Sequence, residues 1–149
     1  MSNDLRQQAI RLLARREHTR AELVRKLAAL GTREEIDSVI TELQASNLQS
    51  DSRAAESYVR SHGARLGASR LRQDLKTRGV VDELIDAQLD RDVLPDEMER
   101  ARVVWARKFS AAPSDARDWA RQARFLQGRG FASDVIRRLL KEPMGTTEE

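Results

Sequence analysis

The chain of 149 residues is long enough for one ordinary domain or for a few small ones, and 34% of its residues are charged. It contains no cysteine, which excludes disulfides, thiolate catalysis and Cys-ligated zinc. No stretch approaches the roughly 18 consecutive apolar residues of a membrane span, and no signal-peptide run opens the chain, so we expect a cytoplasmic protein without membrane contact.

The basic residues are mostly arginines. The 27 basic and 24 acidic side chains leave a net charge of +3, which does not by itself indicate a nucleic-acid ligand. Arginine makes planar bidentate contacts with carboxylate and phosphate, so its surplus over lysine favours a recognition surface. A genome that prefers Arg codons would explain the surplus equally well.

Three helices are predicted at the start of the chain. Apolar residues spaced by three and four mark a first helix that runs to about Arg16. The capping boxes Thr19-x-x-Glu22 and Thr32-x-x-Glu35 open a second and a third helix. The second is expected to end at Gly31 and the third near Asn47.

A second set of three helices follows in the same order. Asp51 or Ser52 is expected to cap its first helix. Its second helix is expected to begin at Ser69 and to end at Gly79. A short helix through Leu89 completes the set.

The third set begins near Pro95, which is expected at a first helical position. Ser114 is expected to cap the next helix, which Gly130 ends, and Ser133 to cap the last one. Trp105 and Trp119 are assigned to the core of this set. Residues from 143 onward are expected to form a frayed polar tail.

One spacing occurs once in each set, at the end of the second helix. A leucine is followed by a glycine four residues later and by an aliphatic residue five after that: Leu27–Gly31–Ile36, Leu75–Gly79–Leu84 and Leu126–Gly130–Val135. Self-similarity of this size is typical of stacked helical repeats, which bury their apolar faces against sequence neighbours. We therefore predict an all-α protein: an elongated, curved array of three tandem three-helix repeats over 1–48, 49–93 and 94–142, with a flexible tail over 143–149.

The charges differ between the helices of a repeat. The second helix is basic in all three, whereas the third helix is acidic in the first two, with net charges of about −3 over 33–46 and −4 over 82–92. A helix-turn-helix would bring those acidic helices to the phosphates, so that mode of DNA binding is disfavoured in the first two repeats. The preference of carboxylates for helix N-termini explains part of the acidity, but explains Asp90 and Asp92 less well.

No pattern indicates catalysis. His18 and His62 do not share a helix at metal-ligand spacing, and neither a nucleophile elbow nor a phosphate-binding loop is present. The carboxylates lie among arginines at the spacing of exposed ion pairs. We expect a protein that is not an enzyme and that holds neither a cofactor nor a metal.

Three blocks of sequence, in order, resemble the RecX family of bacterial recombination regulators. The N-terminal block spans Leu13–Leu27, the central block Gly67–Gly79, and the C-terminal block Arg124–Phe131. The resemblance covers about residues 5 to 142. It implies a modular helical protein, expected to be a monomer, that lies in the groove of the RecA–DNA filament. There it would restrain filament growth or promote disassembly, and so reduce strand exchange, ATP hydrolysis and co-protease activity.

The candidate filament contacts are nine basic residues chosen from these blocks and from the helix before the last glycine. Their expected role is contact with acidic RecA surface and, weakly, with the DNA backbone. They are Arg70, Arg72, Lys76 and Arg78, then Arg121, Arg124 and Arg129, with Arg25 and Lys26 as secondary candidates. For each of them, a solvated helix face is the competing interpretation. A protein that binds naked DNA directly, or a generic helical scaffold, remain the alternative functions.

Overall fold

The computed structural model describes residues 2–90 and 94–141. Within these ranges the chain is helical and contains no strand, as predicted from the sequence. The helices are α1 (Ser2–Arg15), α2 (Arg20–Leu27), α3 (Arg33–Ala45), α4 (Asp51–His62), α5 (Ala68–Thr77), α6 (Asp82–Gln88), α7 (Glu97–Lys108), α8 (Ala116–Gly128) and α9 (Ser133–Leu140). A short 3₁₀ turn, Gly63–Arg65, follows α4.

Both predicted capping boxes are present. The Thr19 and Thr32 hydroxyls accept hydrogen bonds from the N–H groups of Glu22 and Glu35, whose carboxylates accept from the two threonine N–H groups in return. The third helix ends as predicted, because Asn47 takes a left-handed conformation with φ of 66°. The capping boxes therefore predicted the first residues of α2 and α3 correctly.

Other predicted helix starts were wrong by one or two residues. Ser50, rather than Asp51 or Ser52, caps α4 by accepting a hydrogen bond from the Arg53 N–H. The Asp51 carboxylate accepts instead from the Arg20 N–H at 2.8 Å. The α5 helix begins at Ala68 rather than Ser69.

The third set shows the same kind of error. Pro95 lies before the cap, which is Asp96. Asp115 rather than Ser114 caps α8, and Ser133 is the first residue of α9 rather than its cap. A neighbouring aspartate caps α7 and α8, whereas α9 starts without a side-chain cap.

The three glycines of the repeated spacing are not equivalent. Gly79 and Gly130 have φ of +87° and +89°, the left-handed conformation that ends many helices. Gly31 is not among the left-handed glycines of the described chain. A Cβ at Gly31 would lie 2.7 Å from Leu5 Cδ1, so a larger residue there would require the buried Leu5 side chain of α1 to shift.

The helices are grouped into two compact units. The first unit consists of the described parts of Met1–Val59 and Asp74–Gln88, and the second of those of Arg60–Gln73 and Leu89–Glu149. The first has a core of aliphatic residues from α1, α2 and α3, namely Leu5, Ala9, Leu23, Leu27, Ile36, Val39, Ile40 and Leu43. The second is centred on Ala101, Val104, Leu126, Phe131, Ile136 and Leu140.

Both tryptophans were assigned to the core, and the structure places them partly buried against the second core rather than within it. Trp105 donates its indole N–H to Gln122 Oε1 at 2.7 Å, and Trp119 donates to the Lys141 carbonyl at 2.5 Å. These partners allow amphipathic rings to be partly buried without leaving their N–H groups unpaired. The predicted tail over 143–149 and the predicted repeat boundary at residue 93 lie outside the described residues.

Candidate interaction surfaces

In the first unit, the C-terminal ends of α2 and α5 bring three of the predicted basic residues together. The Arg25 guanidinium donates to the Thr77 carbonyl at 3.3 Å, and the Thr19 hydroxyl donates to the Arg78 carbonyl at 2.6 Å. A Cβ at Gly79 would lie 2.5 Å from Ala21 Cβ, so glycine is also required for this approach. Lys76 is exposed beside this contact and forms a long ion pair with Asp82 at 3.6 Å.

The Arg78 side chain is half-buried within this group. Its guanidinium lies 4.4 Å from the centre of the Tyr58 ring, and its Nε lies 3.6 Å from the Glu22 carboxylate. Burial would raise the pKa of the Glu22 carboxyl. The hydrogen bond from the Thr19 N–H and the positive charges of Arg16 and Arg78 outweigh the effect of burial, so the pKa of the Glu22 carboxyl is lowered. Arg78 thus stabilises contacts within the unit as well as contributing charge to its surface.

Lys26 is exposed but touches a buried histidine. Its ammonium lies 3.2 Å from His18 Nε2, while His18 Nδ1 lies 3.0 Å from the Arg16 carbonyl. The neutral tautomer with hydrogen on Nδ1 satisfies both contacts, because Nε2 then accepts from the ammonium. Burial, together with the charges of Arg16 and Lys26, lowers the pKa of His18.

In the second unit, α7 and α8 place three cations against two aromatic rings. Phe109 and Phe125 make an edge-to-face pair with ring centres 5.4 Å apart. The guanidinium of Arg121 lies 5.1 Å from the Phe109 ring centre, and that of Arg129 lies 4.8 Å from the Phe125 ring centre. The Lys108 ammonium lies 5.6 Å from the Phe125 ring centre. Such cation–π contacts hold long side chains extended on the surface.

Beside these rings, the N-terminal part of α8 lines an open depression of about 530 Å³ with three arginines: Arg117, Arg121 and Arg124. Arg121 forms an ion pair with Asp118 at 2.7 Å. Hydrogen bonds from the Ser114 N–H and from Arg121 lower the pKa of the Asp118 carboxyl, so this pair stays ionised. No hydrogen bond or ion pair to another described residue holds the heads of Arg117 and Arg124.

Two residues of the central block, Arg70 and Arg72, belong to the second unit, whereas Lys76 and Arg78 of the same block belong to the first. Arg70 is exposed and donates to the Gly128 carbonyl at 3.1 Å, where the end of α8 meets the start of α5. Arg72 is half-buried on α5. The nine predicted residues are therefore distributed over both compact units.

Two residues that were not predicted from the sequence, Glu97 and Arg100, connect elements of the second unit by hydrogen bonds. The Glu97 carboxylate accepts from the Ala68 N–H at 3.2 Å and from the Ala132 N–H at 2.9 Å, at the starts of α5 and α9. Arg100, only 5% exposed, donates to the Leu66 carbonyl and lies 3.8 Å from Glu97. In the sequence, Glu97 resembles an ordinary first-turn carboxylate, so no local signal distinguished it.

Lys108 and Arg117, which lie beside the predicted arginines, were not among the residues chosen from the sequence. Lys108 directly precedes Phe109, and a cation beside an aromatic residue at a helix end could have drawn attention to it. Across the residues that the structure describes, no group of three His, Asp or Glu side chains is placed to hold a metal ion. The described surface groups are charged side chains, several of them stacked on aromatic rings.

No helix among residues 2–90 and 94–141 is both long and apolar enough to cross a bilayer.

Three family models match the chain in succession. The first three-helix domain of RecX matches residues 6–43, the second matches 50–89 and the third matches 95–140. The regulatory protein RecX of Leptothrix cholodnii is 46% identical over 139 residues, which cover 92% of this chain and 87% of that protein. The regulatory protein RecX of Chromobacterium violaceum is 44% identical over 137 residues, covering 91% of this chain and 88% of that protein. The crystal structure of RecX from Lactobacillus salivarius is 22% identical and superposes with a TM-score of 0.74, covering 93% of each chain.

Proposed function

The chain belongs to the RecX family, and we propose that it regulates RecA by binding the RecA–DNA filament. In this proposal it acts in the cytoplasm as a monomer, without catalysis, and reduces strand exchange, ATP hydrolysis and co-protease activity. The observation that carries the proposal is the succession of three domain matches, in family order, along one chain. The relatives at 44–46% identity are named regulatory proteins.

The distribution of charge supports a filament ligand over a conventional helix-turn-helix protein. The third helices of the first two domains, α3 and α6, each carry an excess of carboxylates. Placed in a major groove, they would repel the phosphates that supply most of the affinity for DNA. A filament of protein and DNA offers surfaces of both signs instead.

We propose that the filament contacts are drawn from the nine basic residues predicted from the sequence. Exposed heads with weak or no pairing can reach a partner most readily, which favours Lys76 and Arg124. Other residues of the nine already donate to or pair with groups of their own unit, so they are expected to contribute shape as well as charge; these are Arg25, Arg70, Arg78 and Arg121.

A sedimentation experiment with three arms separates this function from its alternatives. The purified protein is mixed with a preformed RecA filament on single-stranded DNA, with the DNA alone, and with RecA alone. The proposal predicts co-sedimentation with the filament well above that in the other two arms. Equal retention by naked DNA would favour the direct DNA-binding alternative, and no retention in any arm would favour a generic scaffold.

A charge reversal tests the surface of the first unit. Lys76→Glu should weaken retention by the filament, since Lys76 is exposed and its pairing with Asp82 is long. Arg11→Glu is the matched control, because Arg11 is an exposed arginine on α1 outside the nine. Helical circular dichroism should be the same in both variants. Equal retention of Lys76→Glu and the wild-type protein would remove Lys76 from the contact surface.

A further inference from the structure

Three arginines share one face of α8, and a fourth follows at its C-terminal turn. We call Arg117, Arg121, Arg124 and Arg129 the α8 arginine stripe. Steps of four and three residues keep the first three on one helix face, and at about 1.5 Å per residue the distance along the chain from Arg117 to Arg129 corresponds to roughly 18 Å. Three of its members were predicted contacts, and Arg117 was not.

The stripe is pre-organised by the rings beneath it. Arg121 and Arg129 lie over Phe109 and Phe125, and Lys108 covers the second ring from α7. Stacking fixes the direction of these long side chains and reduces the entropy that they would lose on binding a ligand. Arg117 and Arg124, whose heads lack a hydrogen-bonded or ionic partner among the described residues, complete the row.

The surface carries an excess of positive charge. The stripe and Lys108 contribute five cations, opposed locally by the carboxylates of Asp115 and Asp118. Asp115 accepts from the Asp118 N–H, whereas Asp118 accepts from the Ser114 N–H and pairs with Arg121 at 2.7 Å, which leaves a local excess of three positive charges. An extended polyanion is the complementary partner for such a row.

The chemistry of this face favours phosphates over an acidic protein. Protein interfaces depend on a few buried aromatic or aliphatic anchors. Between the arginines of α8, the solvent-facing side chains are small or polar, and the two phenylalanine rings are already covered by cations. The exposed large apolar side chains lie elsewhere, four of them in the first unit: Ile10, Leu30, Leu48 and Val81.

We propose that the α8 arginine stripe binds the phosphate backbone of a nucleic acid strand directly, in the absence of any other protein. Along the axis of B-form DNA each strand rises about 3.4 Å per phosphate, so a row of roughly 18 Å spans about five steps of the duplex and can meet several phosphates. The proposal deepens the proposed function, because it assigns the DNA contact in a RecA–DNA filament to this unit. The contact itself depends only on the stripe.

The test measures binding of the full chain to a labelled 30-nucleotide oligo(dT) by fluorescence anisotropy over a series of NaCl concentrations. Arg124→Gln and Arg117→Gln should each reduce the slope of log K against log salt by about 0.7, the value for one lost phosphate contact on a single strand. At about 50 mM salt this corresponds to a loss of affinity of roughly five- to tenfold.

The matched control is Arg138→Gln, which removes the same charge from an exposed position on α9. This helix would be the recognition helix in a helix-turn-helix mode. The stripe proposal predicts that the slope for Arg138→Gln stays at the wild-type value. An unchanged slope for Arg124→Gln and Arg117→Gln, or an equal change for Arg138→Gln, would overturn it.

Two further arms identify the ligand. Repeating the titration with a 30-base-pair duplex tells whether the backbone is read on single or double strands, and binding in either arm supports the proposal. Polyglutamate, added at equal charge concentration, represents an acidic protein partner. If it displaced the labelled oligo(dT) as efficiently as unlabelled oligo(dT) does, the proposal would be overturned. RecA is absent from this titration, so a failure to bind oligo(dT) would contradict the stripe proposal and leave the proposed regulatory function untouched. If the chain binds oligo(dT) but does not bind the RecA filament, the regulatory function would be contradicted and the stripe proposal would stand.

Discussion

Gly67 lies where α5 begins, and its lack of a side chain allows the α8–α9 turn to come within hydrogen-bonding distance. Its N–H donates to the Arg129 carbonyl at 2.8 Å. A Cβ at this position would lie 2.2 Å from the Gly130 carbonyl oxygen. The opposing atom is backbone, so the clash cannot be relieved by a change of rotamer.

Gly67→Ala should therefore lower the free energy of unfolding by about 2 kcal/mol or more, in the range of overpacked interiors. Gly128→Ala is the matched control, because nothing lies within 4 Å of a Cβ there. Since alanine is favoured over glycine in a helix, the control should raise stability by about 0.5 kcal/mol. Urea denaturation followed by circular dichroism measures both values, and equal stability of the two variants would contradict the close approach.

His18 makes the stability of the first unit depend on pH. Its burial, with the charges of Arg16 and Lys26, lowers its pKa in the folded chain, so the unfolded chain binds a proton more readily. The unfolding free energy should therefore decrease as the pH falls below about 6.5, the ordinary value for histidine. His18→Gln removes this titration and should flatten the decrease between about pH 7 and 5. Urea titrations across this range test the prediction, and parallel curves for the two proteins would refute it.

At the scale of single elements, the two capping boxes differ in what surrounds them. Thr32 is exposed and caps α3, whereas Thr19 is 1% exposed and also donates its hydroxyl to the Arg78 carbonyl. Thr32→Ala should cost about 1 kcal/mol, the usual value of an N-cap. Thr19→Ala should cost about 2 kcal/mol, since the partly buried Arg78 carbonyl also loses its donor. Thermal unfolding of the two variants compares them, and equal losses would mean that the Arg78 contact contributes nothing.

How far sequence alone determined the structure varies with the kind of signal. The class and order of the helices followed from apolar periodicity, and the starts of α2 and α3 followed from capping boxes. The starts of α4 and α8 were missed because several adjacent residues can cap a helix, and packing selects among them. Asp51, for example, is taken by the Arg20 N–H.

The predicted contact surface was recovered less completely than the helices. Helix periodicity placed Arg121 and Arg124 on one face, but the stacking of Arg121 and Arg129 on aromatic rings depends on how α7 and α8 pack together. The roles of Glu97 and Arg100 depend on residues about 30 positions away in sequence, beyond any local pattern. The curvature of the array stays a prediction.

At the scale of the whole molecule, the two compact units present different chemistry. The first exposes Leu30, Leu48 and Val81, together with Lys76 at the end of α5. The second exposes the α8 arginine stripe. Apolar anchors suit a protein partner and a row of cations suits phosphates, so we expect the units to divide the contacts with a nucleoprotein filament.

Strand exchange by RecA is the measurement that tests the central claim most directly. The purified chain is titrated into RecA assembled on circular single-stranded DNA with a homologous duplex, and the formation of joint products is followed. We predict that strand exchange falls at amounts equal to or below that of RecA, and that ATP hydrolysis falls with it. Undiminished strand exchange at stoichiometric amounts of the chain, with filament and chain both intact, would contradict the account.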